Sequence, residues 1–255
     1  MSVDLGLDGK AVLVTGASSG IGLATARAFG AEGARVAVAY RGGAERAHHL
    51  AEELGARTDR ALALPYDLGD PDTVEAAVAT VTRRWGGVDV LVANAVRRGP
   101  RRPPGRHTED VPADAWRALL RDNLEQTLRT VQLVLPGMRE RKWGRVALVS
   151  SHVVRDGAPG QEFYGAGKAA LHGFARSLAW DTGPDGILVN VVSPGLTRTA
   201  GVLADLPARV REKELSRTPS RQLSSPDDVA RAVAFLCSEA NGNITGAVLD
   251  VSGGR

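Results

Sequence analysis

Short apolar runs alternate with longer amphipathic stretches along the whole chain. The runs are Ala11–Val14, Arg35–Tyr40, Ala61–Tyr66, Val88–Ala93, Arg145–Ser150, Ile187–Val192 and Ala247–Val251. Most are rich in valine and apolar at successive positions, the pattern of parallel strands covered by helices on both faces. Between them, helical patterns occupy Ile21–Glu32, Ala44–Leu54, Pro71–Trp85, Ala113–Met138, Glu162–Trp180 and Pro226–Glu239. The regular alternation, without repeat or linker, predicts an α/β fold: one doubly wound domain over 1–255 with a sheet of seven parallel strands. Two irregular segments, Val96–Val111 and Pro194–Ser225, follow strand carboxyl ends, where open α/β sheets bind ligands.

In the first alternation, Ala11-Val12-Leu13-Val14 runs into Thr15-Gly16-Ala17-Ser18-Ser19-Gly20-Ile21-Gly22 and then into an alanine-rich helical pattern. Strand, small-residue turn and helix leave backbone N–H groups unpaired at the positive end of a helix dipole, where a pyrophosphate can sit. The glycines suit a tight turn, close approach of backbone to ligand and packing of helix on strand. The spacing G-x-x-x-G-x-G differs from the usual G-x-G-x-x-G, and such a turn also serves merely to reverse the chain.

The end of the second strand bears on which dinucleotide is used. An acidic residue there holds the ribose hydroxyls of NAD, whereas an arginine accommodates the extra phosphate of NADP. The chain reads Ala39-Tyr40-Arg41-Gly42-Gly43, without a carboxylate. NADP(H) is therefore favoured over NAD(H), unless Arg41 is only a solvated turn residue. Asp67, in Pro65-Tyr66-Asp67-Leu68, is placed either to accept from an adenine amino group or to cap a turn before Pro71.

Composition adds bounds. The 255 residues are enough for a substantial core. A single cysteine, Cys237, excludes an internal disulfide framework and suits a reducing compartment. Met1-Ser2-Val3-Asp4-Leu5-Gly6 lacks the features of a signal peptide and no apolar run reaches membrane-spanning length, so a cytoplasmic protein without membrane contact is expected.

Candidate chemistry lies at Val149-Ser150-Ser151 and, thirteen residues beyond Ser151, at Tyr164-Gly165-Ala166-Gly167-Lys168. On a helix Tyr164 and Lys168 share one face, with Cβ atoms about 5–6 Å apart. A phenol titrates near about 10, and a neighbouring ammonium favours the phenolate, bringing it toward acid/base work near neutrality. The fifth strand would bring the Ser151 hydroxyl to the same rim. An isolated pair of this spacing is also common on helix surfaces.

In order and spacing these motifs resemble the classical short-chain dehydrogenases/reductases, in the subgroup similar to 3-oxoacyl-(acyl carrier protein) reductases, over essentially the whole chain. Thr15–Gly22 matches that family's cofactor turn, and Asn94-Ala95 its motif after the fourth strand. Asn123 falls on its catalytic asparagine, Ser151 on its serine, and Tyr164 and Lys168 on its Tyr-x-x-x-Lys pair. Ser193-Pro194-Gly195, with Thr199, matches the loop at the nicotinamide end, and Ile244-Thr245-Gly246 with Gly253-Gly254 the last strand.

The resemblance implies a Rossmann-type fold and hydride transfer between nicotinamide C4 and a carbonyl or carbinol carbon. In reduction Tyr164 would be the general acid and Ser151 would hold the substrate oxygen. Lys168 would lower the tyrosine pKa and bind the nicotinamide ribose, and Asn123 would continue a proton relay through its backbone and a water. Cofactor contacts are implied at Gly16, Ser18, Ser19, Gly20, Ile21, Gly22, Tyr40, Arg41, Asp67, Leu68, Asn94, Ala95, Tyr164, Lys168, Pro194, Gly195, Thr197 and Thr199. A homotetramer, or a homodimer, is expected, as is a lid over Leu196–Ser225.

Two departures stand out. Val96 replaces the glycine usual after Asn-Ala, so the loop shifts or cofactor affinity drops. Gly165 and Gly167 each cost about 1 kcal/mol of helix propensity relative to alanine, which close packing of this helix would offset.

The loop Arg97-Arg98-Gly99-Pro100-Arg101-Arg102-Pro103-Pro104-Gly105-Arg106 carries five arginines and no acid in a chain of net charge +3. It reads as a solvated, proline-stiffened loop or as a contact for an anionic partner: a carrier protein, a phosphopantetheine or CoA tail, or an acidic substrate. Nucleic acid is not expected, since no recognition motif accompanies the charge. His48 and His49 point about 100° apart on a helix, and His107, His152 and His172 have no ligand spacing, so no metal is expected. Cys237 reads as a core residue, and Ser225 and Pro226 as a helix start.

The expected activity is NADP(H)-dependent reduction of a small-molecule ketone: 3-oxoacyl, polyketide-like or cyclic, carrier- or CoA-linked among the options. An NAD-linked alcohol dehydrogenase is the alternative within enzymes. A catalytically idle dinucleotide-binding regulator is the alternative outside them, against which the Asn123, Ser151, Tyr164 and Lys168 set argues.

Overall fold

The computed structural model describes residues 4–97, 99 and 102–255. Met1–Val3 of the terminus read above, and Arg98, Pro100 and Arg101 of the basic loop, lie outside the described residues.

Seven strands, β1 (Ala11–Thr15), β2 (Arg35–Tyr40), β3 (Ala61–Pro65), β4 (Val90–Ala93), β5 (Gly144–Val149), β6 (Ile187–Pro194) and β7 (Val248–Val251), form one parallel sheet. Their order is β3-β2-β1-β4-β5-β6-β7, the α/β arrangement expected from the alternation of runs and helices. The chain winds outward from β1 to β3, returns to the other side of β1 at β4 and winds outward again. That reversal leaves a crevice beyond the carboxyl ends of β1 and β4.

Every residue of β1, β5 and β6 is buried, which is why these strands read as continuous apolar runs rather than alternating ones. On one face Leu13, Leu91 and Leu148 pack with Val74, Val81 and Val131 of α3 (Pro71–Trp85) and α5 (Gln126–Glu140) and with Leu171 of α7 (Glu162–Thr182). On the other, Val12, Val36 and Ala147 pack with Phe29, Leu50 and Val233 of α1 (Gly20–Ala31), α2 (Ala44–Glu53) and α10 (Pro226–Leu236). Each such valine or leucine gains about 1.5–3 kcal/mol from burial, so both layers are fixed to the sheet. The Ser225 hydroxyl accepts from the Asp228 N–H while the Asp228 carboxylate accepts from the Ser225 N–H, starting α10 where Ser225 and Pro226 indicated.

Two stretches differ from expectation. The helix expected over Ala113–Met138 is α4 (Ala113–Leu120), a wider π turn at Arg121–Glu125 and α5. Asn123 Nδ2 donates to the Leu119 carbonyl at 2.9 Å within that turn, and π turns of this kind recur at functional sites. The segment after β6 contains α8 (Ala200–Asp205) and α9 (Ala208–Arg217). Helix α9 buries no residue, so it leaves no apolar period in the sequence. Among the described residues no helix is long and apolar enough to cross a membrane.

Candidate active site

The carboxyl ends of the central strands open into one cleft of about 1460 Å³. Its floor is the turn after β1, where Gly16 (φ +68°) and Gly20 (φ +56°) adopt the left-handed region. A Cβ on Gly22 would fall 2.3 Å from the Gly16 carbonyl oxygen, so only glycine lets α1 close on the turn. Thr15 and Asn94 brace this turn. Thr15 Oγ1 accepts the N–H groups of Asn94 (3.0 Å) and Ala95 (2.9 Å), and Asn94 Nδ2 donates to the Thr15 carbonyl at 2.9 Å. A bare backbone cradle at the start of a helix fits a dinucleotide pyrophosphate. Gly16, Ser18, Ser19, Gly20, Ile21, Asn94 and Ala95 all line the cleft, and Gly22 supports it from behind.

At one end, Ser18 Oγ donates to the Gly42 carbonyl at 3.0 Å, and Arg46 Nε donates to the Ser18 carbonyl at 3.3 Å. Arg41 and Arg46 both border the cleft here. Arg46 was missed in the sequence; its signal is its position in the first turn of α2, directly after the glycines. Leu68 also lines the cleft, whereas Tyr40 and Asp67 do not. Tyr40 packs edge-on against His48, with ring centres 5.9 Å apart. The Asp67 carboxylate accepts the Gly69 N–H at 2.9 Å and lies 3.9 Å from Arg97.

The other end is built on α7 and the end of β5. Lys168 Nζ donates to the Val149 carbonyl at 2.7 Å and lies 6.0 Å from the centre of the Tyr164 ring. Burial pushes the Lys168 ammonium down from 10.5 to about 8. Ser150 Oγ donates to the Lys168 carbonyl at 3.2 Å and hydrogen-bonds His172 Nε2 at 2.8 Å, tying α7 to β5. Ser151, Tyr164 and Lys168 line the cleft together. Asn123 lies behind them, lining with Tyr164 and Lys168 a second cavity of about 10 Å³. Gly167 lets α7 approach α4: a Cβ there would meet Leu120 Cδ2 at 3.3 Å.

The loop after β6 closes the cleft from above. Pro194, Gly195, Thr197 and Thr199 all border it. Thr197 Oγ1 donates to the Gly195 carbonyl at 3.0 Å, and Thr199 Oγ1 accepts the Val202 N–H at 3.3 Å to start α8. Beside Ser151, His152 Nδ1 contacts the Pro194 carbonyl at 3.3 Å, and burial pushes its imidazole below the ordinary value.

Of the basic loop, Arg97 pairs with Asp122 at 3.1 Å and Arg102 with Glu162 at 2.6 Å, while Arg106 makes no ion pair among the described residues. All three border the cleft, as does Val96. Two further border residues carry no sequence signal, Glu214 and Arg255, which pair with each other. Among the described residues no three His, Cys, Asp or Glu side chains converge as a metal cage.

The family model described as "Enoyl-(Acyl carrier protein) reductase" matches residues 16–255. The chain is 35% identical over 251 residues to a 3-oxoacyl-(acyl-carrier-protein) reductase of Vibrio cholerae, covering 98% of each. It is similar to the solved structure of a 7 alpha-hydroxysteroid dehydrogenase complexed with NADH and 7-oxo glycochenodeoxycholic acid, at TM-score 0.91 and 32% identity, covering 100% of this chain and 98% of that one. A solved short chain dehydrogenase/reductase family protein matches at TM-score 0.83 and 35% identity, over 97% of each chain.

Proposed function

The chain belongs to the short-chain dehydrogenase/reductase family of NAD(P)-dependent oxidoreductases acting on hydroxyl and carbonyl groups, and on that premise we propose that it is an NADP(H)-preferring ketone reductase. The observation that carries this reading is the joining, in one cleft, of the glycine turn with Ser151, Tyr164 and Lys168.

A nicotinamide dinucleotide held at the Gly16–Gly22 turn supplies the hydride. The chain's own residues handle the oxygen and its proton. Ser151 Oγ donates a hydrogen bond to the substrate oxygen and orients the carbonyl. Tyr164 gives its hydroxyl proton to that oxygen as the carbon is reduced, and takes it back in oxidation. Lys168, anchored on the Val149 carbonyl, keeps an ammonium beneath the phenol and reaches the ribose. The cavity shared by Asn123, Tyr164 and Lys168, about 10 Å³, is close to the smallest that holds one water, which supports a proton relay ending at Asn123.

Preference for NADP(H) is supported by Arg41 and Arg46 at the far end of the cleft, with glycines rather than a carboxylate after β2. Two guanidinium groups suit the extra phosphate. For the substrate, the likeness to a 3-oxoacyl-(acyl-carrier-protein) reductase and to a hydroxysteroid dehydrogenase supports a 3-oxoacyl or cyclic ketone. Arg106 at the rim, with no ion pair among the described residues, favours one that carries an anionic or carrier-linked tail. Trp180 on α7, 88% exposed, with Phe235 and Leu249 also exposed, supports assembly of the subunit with further copies, in this reading as a homotetramer.

A panel of acyclic, cyclic and thioester ketones followed at the nicotinamide absorbance, with parallel fluorescence titrations of NADPH and NADH, tests the reading. Turnover of a ketone with tighter NADPH binding is expected. Tighter binding of NADH overturns the role given to Arg41 and Arg46, and no turnover of any ketone overturns the reductase reading.

A further inference from the structure

Helix α9 is charged over most of its ten residues and buries none of them. A helix of that length gains too little from its own hydrogen bonds to persist alone in water, and without a buried face it gains little from apolar packing. Polar tethers must therefore hold it against the cleft.

Arg255 supplies the strongest of these. Its guanidinium contacts Glu214 on α9 and, through Nε at 3.0 Å, Asp156 at the end of α6 (Val153–Asp156), the short helix that follows Ser151. The three side chains are 19%, 16% and 21% exposed, so both contacts are shielded far better than ordinary surface ion pairs. The end of β7 and the stretch after it fasten the two ends of the loop that carries α9. The Gly195 N–H and the Ser224 hydroxyl donate to the Val251 carbonyl at 2.9 and 3.0 Å, and the Ser220 N–H donates to the Gly253 carbonyl at 3.0 Å. Between those fixed ends α9 is held across the cleft through Glu214, and at its carboxyl end by Arg221 Nη1, which donates to the Ser216 carbonyl at 2.6 Å.

We infer that Arg255 is a positioning residue, which by bridging Glu214 to Asp156 latches the lid helix onto the serine-bearing loop and so sets how tightly a substrate is enclosed. The latch is geometry; its effect on substrate rests on the reductase reading above. To open the cleft, Glu214 must leave Arg255, while Asp156 keeps the guanidinium on the sheet side. Truncating Arg255 leaves the Glu214 carboxylate without its ion-pair partner, while Asp156 keeps Arg155 at 3.3 Å, and α9 is released from the loop. A lysine at this position has one ammonium and no fork, so it holds one carboxylate rather than two.

Amide hydrogen exchange on the whole protein, alone and with NADPH, tests this for Arg255→Met, Glu214→Gln, the double variant and Arg255→Lys, with Arg231→Gln as control. Exchange over 208–217 is expected to quicken about tenfold in Arg255→Met and in Glu214→Gln, no further in the double variant, and less in Arg255→Lys. Residues 162–182, and Arg231→Gln throughout, should match the parent. With any ketone that the panel finds to be turned over, KM should rise about tenfold while kcat holds or rises. Unaltered exchange over 208–217 in Arg255→Met overturns the latch, as does quickened exchange that extends over α7. Quickened exchange with unaltered KM overturns the effect on substrate. Absence of turnover in the parent sinks the reductase reading alone, because the exchange data judge the latch without it.

Discussion

Asn123 grips Arg97 on both sides: its Oδ1 accepts the Arg97 N–H at 2.8 Å and its Nδ2 donates to the Arg97 carbonyl at 2.9 Å. The residue proposed to end a proton relay through its backbone therefore also anchors, by its side chain, the loop that leaves β4. Replacing it with alanine removes the partner of the Arg97 N–H, the Arg97 carbonyl and the Leu119 carbonyl in a half-buried place. Asn123→Ala should cost about 2–3 kcal/mol in urea unfolding. Asn123→Asp should cost more near neutral pH, because it aims a carboxylate at two carbonyl oxygens.

Tyr164→Phe keeps the ring and removes the proton. Turnover should fall by about 10²–10⁴-fold, with the NADPH dissociation constant within about twofold of the parent. Unchanged turnover would show that another group protonates the substrate oxygen.

Lys168 makes stability depend on pH in a defined window. Its ammonium titrates at about 8 when folded, against 10.5 ordinarily. Between those values the unfolded chain binds more protons, so stability attributable to this group rises with pH across the window, by up to about 3 kcal/mol, and is flat below it. Denaturant unfolding of the parent and Lys168→Met across that range checks this. The difference between the two profiles should slope upward for the parent, and parallel profiles contradict it.

The two arginines at the far end of the cleft should act on one dinucleotide only. Arg41→Ala and Arg46→Ala should each weaken NADPH binding by about tenfold or more, the worth of a charge-assisted hydrogen bond, and leave NADH binding within about twofold. Equal losses for both dinucleotides in calorimetric titrations would place the arginines on a shared phosphate instead.

What was legible in the sequence was local. Val12, Val36 and Val189 announce buried parallel strands because burial on both faces admits only apolar side chains, and Gly22 is written in the motif because no Cβ fits beside Gly16. The grouping of Ser151, Tyr164 and Lys168 was legible through resemblance and helical spacing, and all three border one cleft. What was not legible depends on contacts between distant positions. The π turn carries an amide bonded to a residue 26 positions away, a contact that no local pattern records. Helices α8 and α9 escaped notice because segments that bury so little have no apolar period. Arg255, Glu214 and Asp156 are three unremarkable charges until the fold brings them together.

The Thr199 methyl lies 3.1 Å from the point that a Cβ on Gly20 would occupy, so the loop carrying α8 and α9 begins against the dinucleotide turn itself. On the proposed reductase reading, entry and departure should then be coupled in time: nucleotide seating first, ketone second, and the alcohol escaping before the oxidised nucleotide. In steady-state inhibition patterns the alcohol should be noncompetitive against the ketone, the signature of a compulsory sequence; competition between alcohol and ketone would show a random one.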